Sequence, residues 1–393
     1  MKKSLSREML ERFTPSIAGE VANAVRREVS YSRGEPKLAV LFLTYRCTSR
    51  CRTCKMWLLQ WEAKRELTPA EWVRAADTLT DAGVTVFELF GGDVFLRKDA
   101  LFPLIWRLKK KNATVHIPTN SRLLDEETAE MLIDAGVDYL YLSTDGIRET
   151  HDSIRGIGNA FASVQRAIKA LVKSRRNRSW PRLICNTTVS KYNVDSLEKI
   201  AQFASTSGFD EVDFEYVGEM TKEDVASSMV DGFSPTPYFL RDGESVLISP
   251  AQAVILKKKL RAIHRKHTST GFTVSSVNID CLSEDDLITG SVPRHKCYTE
   301  RCEVVVDPGG NVVACPFFHT YKLGNLFEED FKKIWWSKKH ESFHRHLREK
   351  GLPMCRHCIP SVQRSHSFSD RLERIYTVRL RAAQRKLLAI SDL

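Results

Sequence analysis

The chain has 393 residues, 42% of them apolar, and a formal net charge of +11. That length suits two domains or one large barrel with an appendage. No apolar run reaches membrane-span length, and the opening residues MKKSLSREMLERF lack the apolar stretch of a secretory signal. A cytoplasmic location is therefore expected, where thiols stay reduced and ten cysteines read as metal ligands or reactive thiols before disulfides. The positive charge suits an acidic partner, an anionic membrane surface or a solvated basic face. No helix-turn-helix, zinc-finger or RNA-recognition signature accompanies it.

Residues 1–36 contain a basic amphipathic helix pattern. From residue 37 to 219 strand-like and helix-like runs alternate. The strand-like runs are LAVLFLT, VTVFELF, ATVHIPT, DYLYLST, RLICNTTV and DEVDFEYV. The first intervening helix has Thr68 as N-cap, Pro69 in the first turn and Glu71 completing a capping box. Further helices are expected near 100–111, 126–135, 160–174 and 194–207. This alternation predicts an α/β fold with a parallel sheet and covering helices. Six βα units are too few for an eight-unit barrel and fit a partial (βα)6 barrel or an open sheet. In either, chemistry sits at the carboxyl ends of the strands. Residues 220–290 read as a bridge holding the basic helix SPAQAVILKKKLRAIHRKH. Residues 291–360 hold a hairpin signal, CEVVVDPGGNVVAC, then a helix around DFKKIWWSKKHESFHRHL and then CRHC. Residues 361–393 close with a second basic amphipathic helix.

The run LTYRCTSRCRTCKMW follows the first strand and carries Cys47, Cys51 and Cys54. Thiolates favour zinc or iron–sulfur clusters. A structural zinc site wants four closed ligands, whereas three thiolates on a four-iron cluster leave one iron open. A zinc site with a distant fourth ligand is the competing reading.

The run resembles the cluster motif of the radical S-adenosylmethionine (radical SAM) family. The resemblance implies a [4Fe-4S] cluster on Cys47, Cys51 and Cys54, with S-adenosyl-L-methionine on the open iron. It also implies one-electron cleavage to a 5′-deoxyadenosyl radical, which abstracts a substrate hydrogen atom. ELFGGDVFLR resembles the family's glycine-glycine-acid motif: Gly91 and Gly92 would let backbone approach the methionine moiety, and Asp93 would hold its ammonium. HIPTNSRLL resembles the Thr-Asn-Gly strand end, with Asn120 retained and Ser121 replacing Gly. LSTDGIRETHDSIRG resembles the stretch whose Ser143 and Arg155 contact the cofactor's ribose or carboxylate, while Asp145, His151 and Asp152 shape the loop. Thr53 stands where an aromatic residue usually faces adenine, so backbone contacts remain and stacking does not. Asn186 completes the set of expected cofactor contacts. An electron donor such as flavodoxin or ferredoxin is the implied protein partner.

Strand alternation supports one polar lumen. Tyr139, Tyr141, Ser143 and Asp145 share a side opposite Leu140 and Leu142; His116 and Asn120 oppose Val115 and Ile117; Asn186 and Thr188 oppose Leu183 and Cys185; Asp213 and Glu215 oppose Val212, Phe214 and Tyr216. His116, Asp213 and Glu215 are therefore candidate acid–base or substrate groups. A structural hydrogen bond inside the lumen is the simpler reading for any single one of them.

Near the C-terminus Cys297, Cys315, Cys355 and Cys358 resemble the auxiliary-cluster module called SPASM, or its shortened twitch form. No cysteine follows Cys358, so one auxiliary [4Fe-4S] cluster is the arithmetic limit. Cys302 is an alternate ligand for Cys297, and a zinc ribbon is the competing reading. Cys185 and Cys281 read as lone thiols.

The sequence thus predicts a partial TIM-like barrel with a small C-terminal cysteine-rich auxiliary-cluster module. The expected activity is radical SAM modification of a peptide, natural product or other small molecule. Lipid chemistry at the inner membrane face, prompted by the basic terminal helices, is one alternative. A non-catalytic iron–sulfur carrier or a zinc-stabilised binding module is another; Gly91, Gly92, Ser143 and Arg155 count against the carrier.

Overall fold

The computed structural model describes residues 34–360, apart from 62–64, 177, 269, 293–296 and 298–302. Both basic terminal helices expected from the sequence, and Cys302, lie outside the described residues.

The strands are β1 (Leu38–Phe42), β2 (Val86–Phe90), β3 (Thr114–Thr119), β4 (Tyr139–Ser143), β5 (Arg182–Val189), β6 (Glu211–Tyr216), β7 (Thr273–Ser275), β8 (Glu303–Val306), β9 (Asn311–Val313) and β10 (Lys322–Asn325). The helices that position the site are α1 (Pro69–Asp81), α2 (Lys98–Lys110), α3 (Glu126–Ala135), α4 (Glu149–Arg155), α5 (Ala160–Arg175), α6 (Leu197–Ser207), α7 (Pro250–His267), α8 (Phe331–Trp335) and α9 (Lys338–Glu349). All strands join one sheet in the order β10-β9-β8-β1-β2-β3-β4-β5-β6-β7. β1 to β7 run parallel in sequence order, and the barrel is partial, with β7 and β10 at its two edges.

Two elements extend the sheet beyond the six βα units. β7, from the bridge segment, pairs in parallel with β6. β8, from the cysteine-rich module, pairs in parallel with β1, and β9 and β10 continue outward antiparallel. Both lateral edges of the six-stranded core are thereby paired, which removes an aggregation hazard. The expected single helix over residues 330–347 is two: Ser337 caps α9 by accepting from His340 N and so separates it from α8.

Local rules explain the elements. Thr68 caps α1 with the capping box completed by Glu71, and Ser249 and Gln252 do the same for α7. Strand alternation then builds the core. Phe87, Leu89, Val115, Ile117, Leu140, Leu142, Val212 and Phe214 are each fully buried against the helices, while the intervening residues line the lumen. Burial of one large side chain contributes about 1.5–3 kcal/mol, so the outward faces fix register: a one-residue slip would turn them all into the lumen.

Candidate active site

The three-cysteine loop crosses the carboxyl ends of the strands and is held from several sides. Gly92 N–H donates to Thr44 O and Asp93 N–H to Arg46 O, both at 2.9 Å. On the far side Arg50 N–H donates to Arg155 O and Arg52 N–H to Ile154 O, again at 2.9 Å. Two glycine contacts make this approach possible. A Cβ on Gly92 would lie 2.2 Å from Arg46 O, and one on Gly156, at φ +65°, 2.2 Å from Arg50 O. Gly91, expected to admit the methionine moiety, also has the Thr44 carbonyl 2.3 Å from its would-be Cβ. The Gly91–Gly92 pair thus makes room for the cysteine loop itself. Gly156 escaped the sequence reading because its partner lies about a hundred residues away.

Asp93 and Asn120 converge on the same loop. Thr48 Oγ1 donates to Asp93 Oδ2 at 2.6 Å, and Asn120 Nδ2 donates to Thr48 Oγ1 at 2.9 Å and reaches Cys47 Sγ at 3.9 Å. Asp93 also caps a short turn by accepting from Phe95 N–H. Burial pushes its carboxyl upward, opposed by these hydrogen bonds. Ser121, where the motif usually has Gly, sits at φ +67° with its Oγ buried and without a partner, which explains why a glycine suits that position.

Arg155 joins the loop to the lumen. Its Nη2 lies 2.7 Å from Asp145 Oδ2, and its Nη1 donates to Cys51 Sγ at 3.8 Å. Asp145 is 1% exposed and also accepts from Thr188 N–H at 2.9 Å. His151 Nδ1 accepts from Asp145 N–H, and burial holds its imidazole neutral, with the pKa pushed down to about 2. Asp152 accepts from Asn159 and Phe161 N–H. So Asp145, His151 and Asp152 shape the turn that presents Arg155, as the sequence suggested.

The expected lumen residues separate into groups. Ser143 is level with Asn186, and Asn186 with Asp213, across neighbouring strands; Glu215 is level with Thr188 one layer higher. His116 lies apart from them. It is level with Glu88 and Tyr139, stacks on Tyr139 with centroids 4.5 Å apart, and its Nδ1 lies 3.2 Å from the Tyr141 hydroxyl. Thr53 borders a small polar pocket with Arg52, Lys55, Glu219 and Arg241.

The residues present suit a thiolate-bound cluster with an anionic group, such as a carboxylate, beside it. Burial pushes the Cys47 thiol up to about 11 and the Cys54 thiol up to about 12; metal ligation would supply the positive charge that lets them ionise. Arg155 Nε and Asn186 Oδ1 are buried with no hydrogen-bond partner among the described residues. Such atoms cost about 1–3 kcal/mol each unless a ligand pairs them. Among the described residues no three His, Cys, Asp or Glu side chains converge on a single metal ion; a cubane spreads its thiolates over separate corners.

A second thiol group lies in the C-terminal module. Cys297, Cys315, Cys355 and Cys358 line one apolar cavity with Phe317, Phe343 and Met354. Burial pushes the Cys355 thiol up to about 12. A strap joins the two thiol groups: Lys55 N–H donates to Tyr238 O and Thr236 N–H to Phe317 O, each at 2.7 Å. The Tyr238 phenol is buried between them, and its pKa is raised by burial first and then by Cys54, Glu88, Cys315 and Cys358. His319 adds a second link, its Nδ1 lying 2.8 Å from the Tyr45 hydroxyl. Tyr238 and Thr236 lie far from any cysteine in the sequence, and Tyr45 and His319 are marked only by their nearness to Cys47 and Cys315.

Residues 41–204 match the family model of the radical SAM superfamily, and residues 297–359 match the SPASM iron–sulfur cluster-binding domain. The chain belongs to the radical SAM superfamily. It is a radical SAM enzyme with a SPASM domain, a class that implies a [4Fe-4S] cluster, S-adenosylmethionine and auxiliary iron–sulfur chemistry. Among curated proteins it is 24% identical over 332 residues to Fe-coproporphyrin III synthase of Methanosarcina barkeri, covering 78% of this chain and 75% of that one. It is 30% identical over 176 residues to the PqqA peptide cyclase of Granulibacter bethesdensis, covering 44% of this chain and 46% of the cyclase. Its fold is similar to that of SuiB from Streptococcus suis, at TM-score 0.61 and 15% identity over 91% of this chain and 82% of that one. It is likewise similar to that of anSMEcpe with bound AdoMet and peptide, at TM-score 0.58 and 19% identity over 82% of this chain and 88% of that one. No helix among the described residues is long and apolar enough to cross a membrane.

Proposed function

We propose that this radical SAM enzyme binds its first cluster through Cys47, Cys51 and Cys54 and one auxiliary cluster through Cys297, Cys315, Cys355 and Cys358, and modifies a peptide or a small-molecule natural product. The observation that carries the reading is the Arg155 contact with both Cys51 and Asp145, beside the unpaired Asn186 Oδ1.

Bound there, the cluster and S-adenosylmethionine would supply one-electron chemistry that ends in hydrogen-atom abstraction from the substrate. The chain supplies placement. Gly92 and Gly156 seat the cysteine loop against two neighbouring backbones. Asp93 and Asn120 hold Thr48, and with it the backbone between Cys47 and Cys51. Arg155 offers its Nε and a fixed positive charge to an anionic group, while Asp145 sets the guanidinium plane. Ser143, Asn186 and Thr53 add polar contacts at the strand ends. Asp213 and Glu215 provide carboxylates level with that rim, where a proton could be taken up; His116, deeper and stacked on Tyr139, shapes the lumen floor.

The substrate class rests on the relatives, which include a peptide cyclase and a structure with bound peptide, together with the polar lumen. An electron donor of the flavodoxin or ferredoxin class supplies the reducing electron. The reading is tested by incubating the reduced enzyme with S-adenosylmethionine and separate peptide, small-molecule and lipid fractions from cells grown in D2O. Deuterium should appear in 5′-deoxyadenosine with a peptide or small-molecule fraction, and its transfer from the lipid fraction alone would overturn the substrate class.

A further inference from the structure

The cysteine loop is rich in cations and carries no acid of its own. Arg46, Arg50, Arg52 and Lys55 alternate with the three cysteines, and no Asp or Glu occurs from residue 43 to 61. Arg46 is engaged by Glu66. Arg50 and Arg52 are exposed and make no ion pair among the described residues; the first is held by Cys47 O and Ser49 O, the second lies 3.9 Å over the Tyr192 ring. Arg52 also shares a small pocket with Glu219 and Glu244, but these carboxylates are already paired with Arg241 and Lys191.

The fold continues this line. Arg52 lies against Tyr192, which follows β5; Arg50 lies against Arg155, which follows β4; Arg122, which is exposed, follows β3 and is two residues from Asn120, the residue bonded to Thr48. The three arginines form a row over the ends of β3, β4 and β5. Below Arg122 a cavity is lined by Lys98, Arg166 and Lys169, while its Asp125 and Glu126 lie in ion-pair reach of Lys98 and Lys173. Beside Arg50 lies the Trp57 ring, 5.1 Å from its guanidinium, and the next residue of the loop, Leu58, is 50% exposed. The auxiliary module's strands join the sheet at β1, on the edge away from β2 and β3.

We propose that this row, Arg50, Arg52 and Arg122, with the exposed Leu58 of the same loop, is the docking surface for an acidic one-electron carrier protein, which delivers its electron on the Cys47–Cys51 side. The inference rests on the radical SAM reading. A small apolar centre with a charged rim suits a transient redox encounter, in which charge governs approach more than residence. In the transfer the carrier is oxidised by one electron and the enzyme reduced by one; no bond forms or breaks. Docking over the ends of β3 to β5 keeps the carrier away from the module strands β8 to β10, which join the sheet at β1.

The test uses a flavodoxin of net negative charge. Oxidised flavodoxin should bind wild-type holoenzyme at low salt, and Arg52→Glu/Arg122→Glu should weaken that Kd about tenfold, with the difference fading near 0.5 M salt. Arg122→Glu/Lys169→Glu, whose side chains touch no part of the cysteine loop, should act in the same direction. Lys110→Glu/Lys258→Glu, with equal net charge placed elsewhere, should not. Stopped-flow reduction gives a second readout: the rate with reduced flavodoxin divided by the rate with the methyl viologen radical cation should fall in the row variants, because the same reversal attracts the viologen. Equal effects of the row and control pairs, or an unchanged ratio, would overturn the docking surface. If wild type reduced by dithionite forms no 5′-deoxyadenosine, the function fails instead, separately from the binding result.

Discussion

Arg155 pairs with Asp145 at 2.7 Å while its other terminal nitrogen reaches Cys51 Sγ at 3.8 Å. One guanidinium therefore ties a 1%-exposed carboxylate to the cysteine loop. Arg155→Ala should destabilise the protein by about 3–5 kcal/mol, because it leaves a buried charge unpaired. Arg155→Lys should recover part of that loss but not the two-way fork. Chemical denaturation of the three proteins checks the order, and S-adenosylmethionine affinity should weaken in both variants.

Close backbone contacts make a sharper prediction about two neighbouring glycines. A Cβ on Gly156 would meet Arg50 O at 2.2 Å, whereas one on Gly158 meets nothing within 4 Å. Gly156→Ala should therefore displace the cysteine loop and lose first-cluster iron, and Gly158→Ala should keep it. Iron content after anaerobic reconstitution, compared between the two variants, is the measurement.

Much of this was legible beforehand, and the limits are physical. Alternation of period two exposed the six parallel strands and put Asn186, Asp213 and Glu215 on the lumen side. The cysteine spacing and the short motifs near Asn120 and Arg155 pointed to the strand ends. Pairings between distant segments left no local mark. The parallel register of Leu38 with Glu303 joins residues far apart in sequence, so the module's place in the sheet was not readable. The hydrogen bond between Tyr45 and His319, and the strap through Tyr238, are likewise products of tertiary folding. The contact of Gly91 with the Thr44 carbonyl is another such pairing, which its motif does not encode.

The auxiliary thiols yield a count. Wild type should hold about eight irons, four per cubane cluster, and Cys355→Ala/Cys358→Ala about four. The depleted variant should keep the first cluster. About twelve irons would mean an additional site, and about four with one zinc would mean that the module is a zinc ribbon.

Acid should weaken the fold through two histidines. Burial lowers the His319 pKa to about 4 and that of His151 to about 2, against about 6.5 when unfolded. The unfolded chain therefore takes up protons first as pH falls. Their stabilising contribution is complete above about pH 6.5 and is lost toward pH 4 for His319 and pH 2 for His151. The thermal midpoint should drop between pH 7.5 and 5.5, and less steeply in His151→Gln, whose amide oxygen can still accept from Asp145 N–H.

The central claim is that Cys47, Cys51 and Cys54 carry the cluster that cleaves S-adenosylmethionine. The most direct measurement is 5′-deoxyadenosine formed per enzyme, anaerobically and with dithionite, by wild type and by Cys47→Ala/Cys51→Ala/Cys54→Ala. Wild type should form it only when reduced, and the triple variant should form none while retaining about four irons in the C-terminal module. Reductant-dependent 5′-deoxyadenosine from the triple variant, or none from iron-replete wild type, would contradict the account.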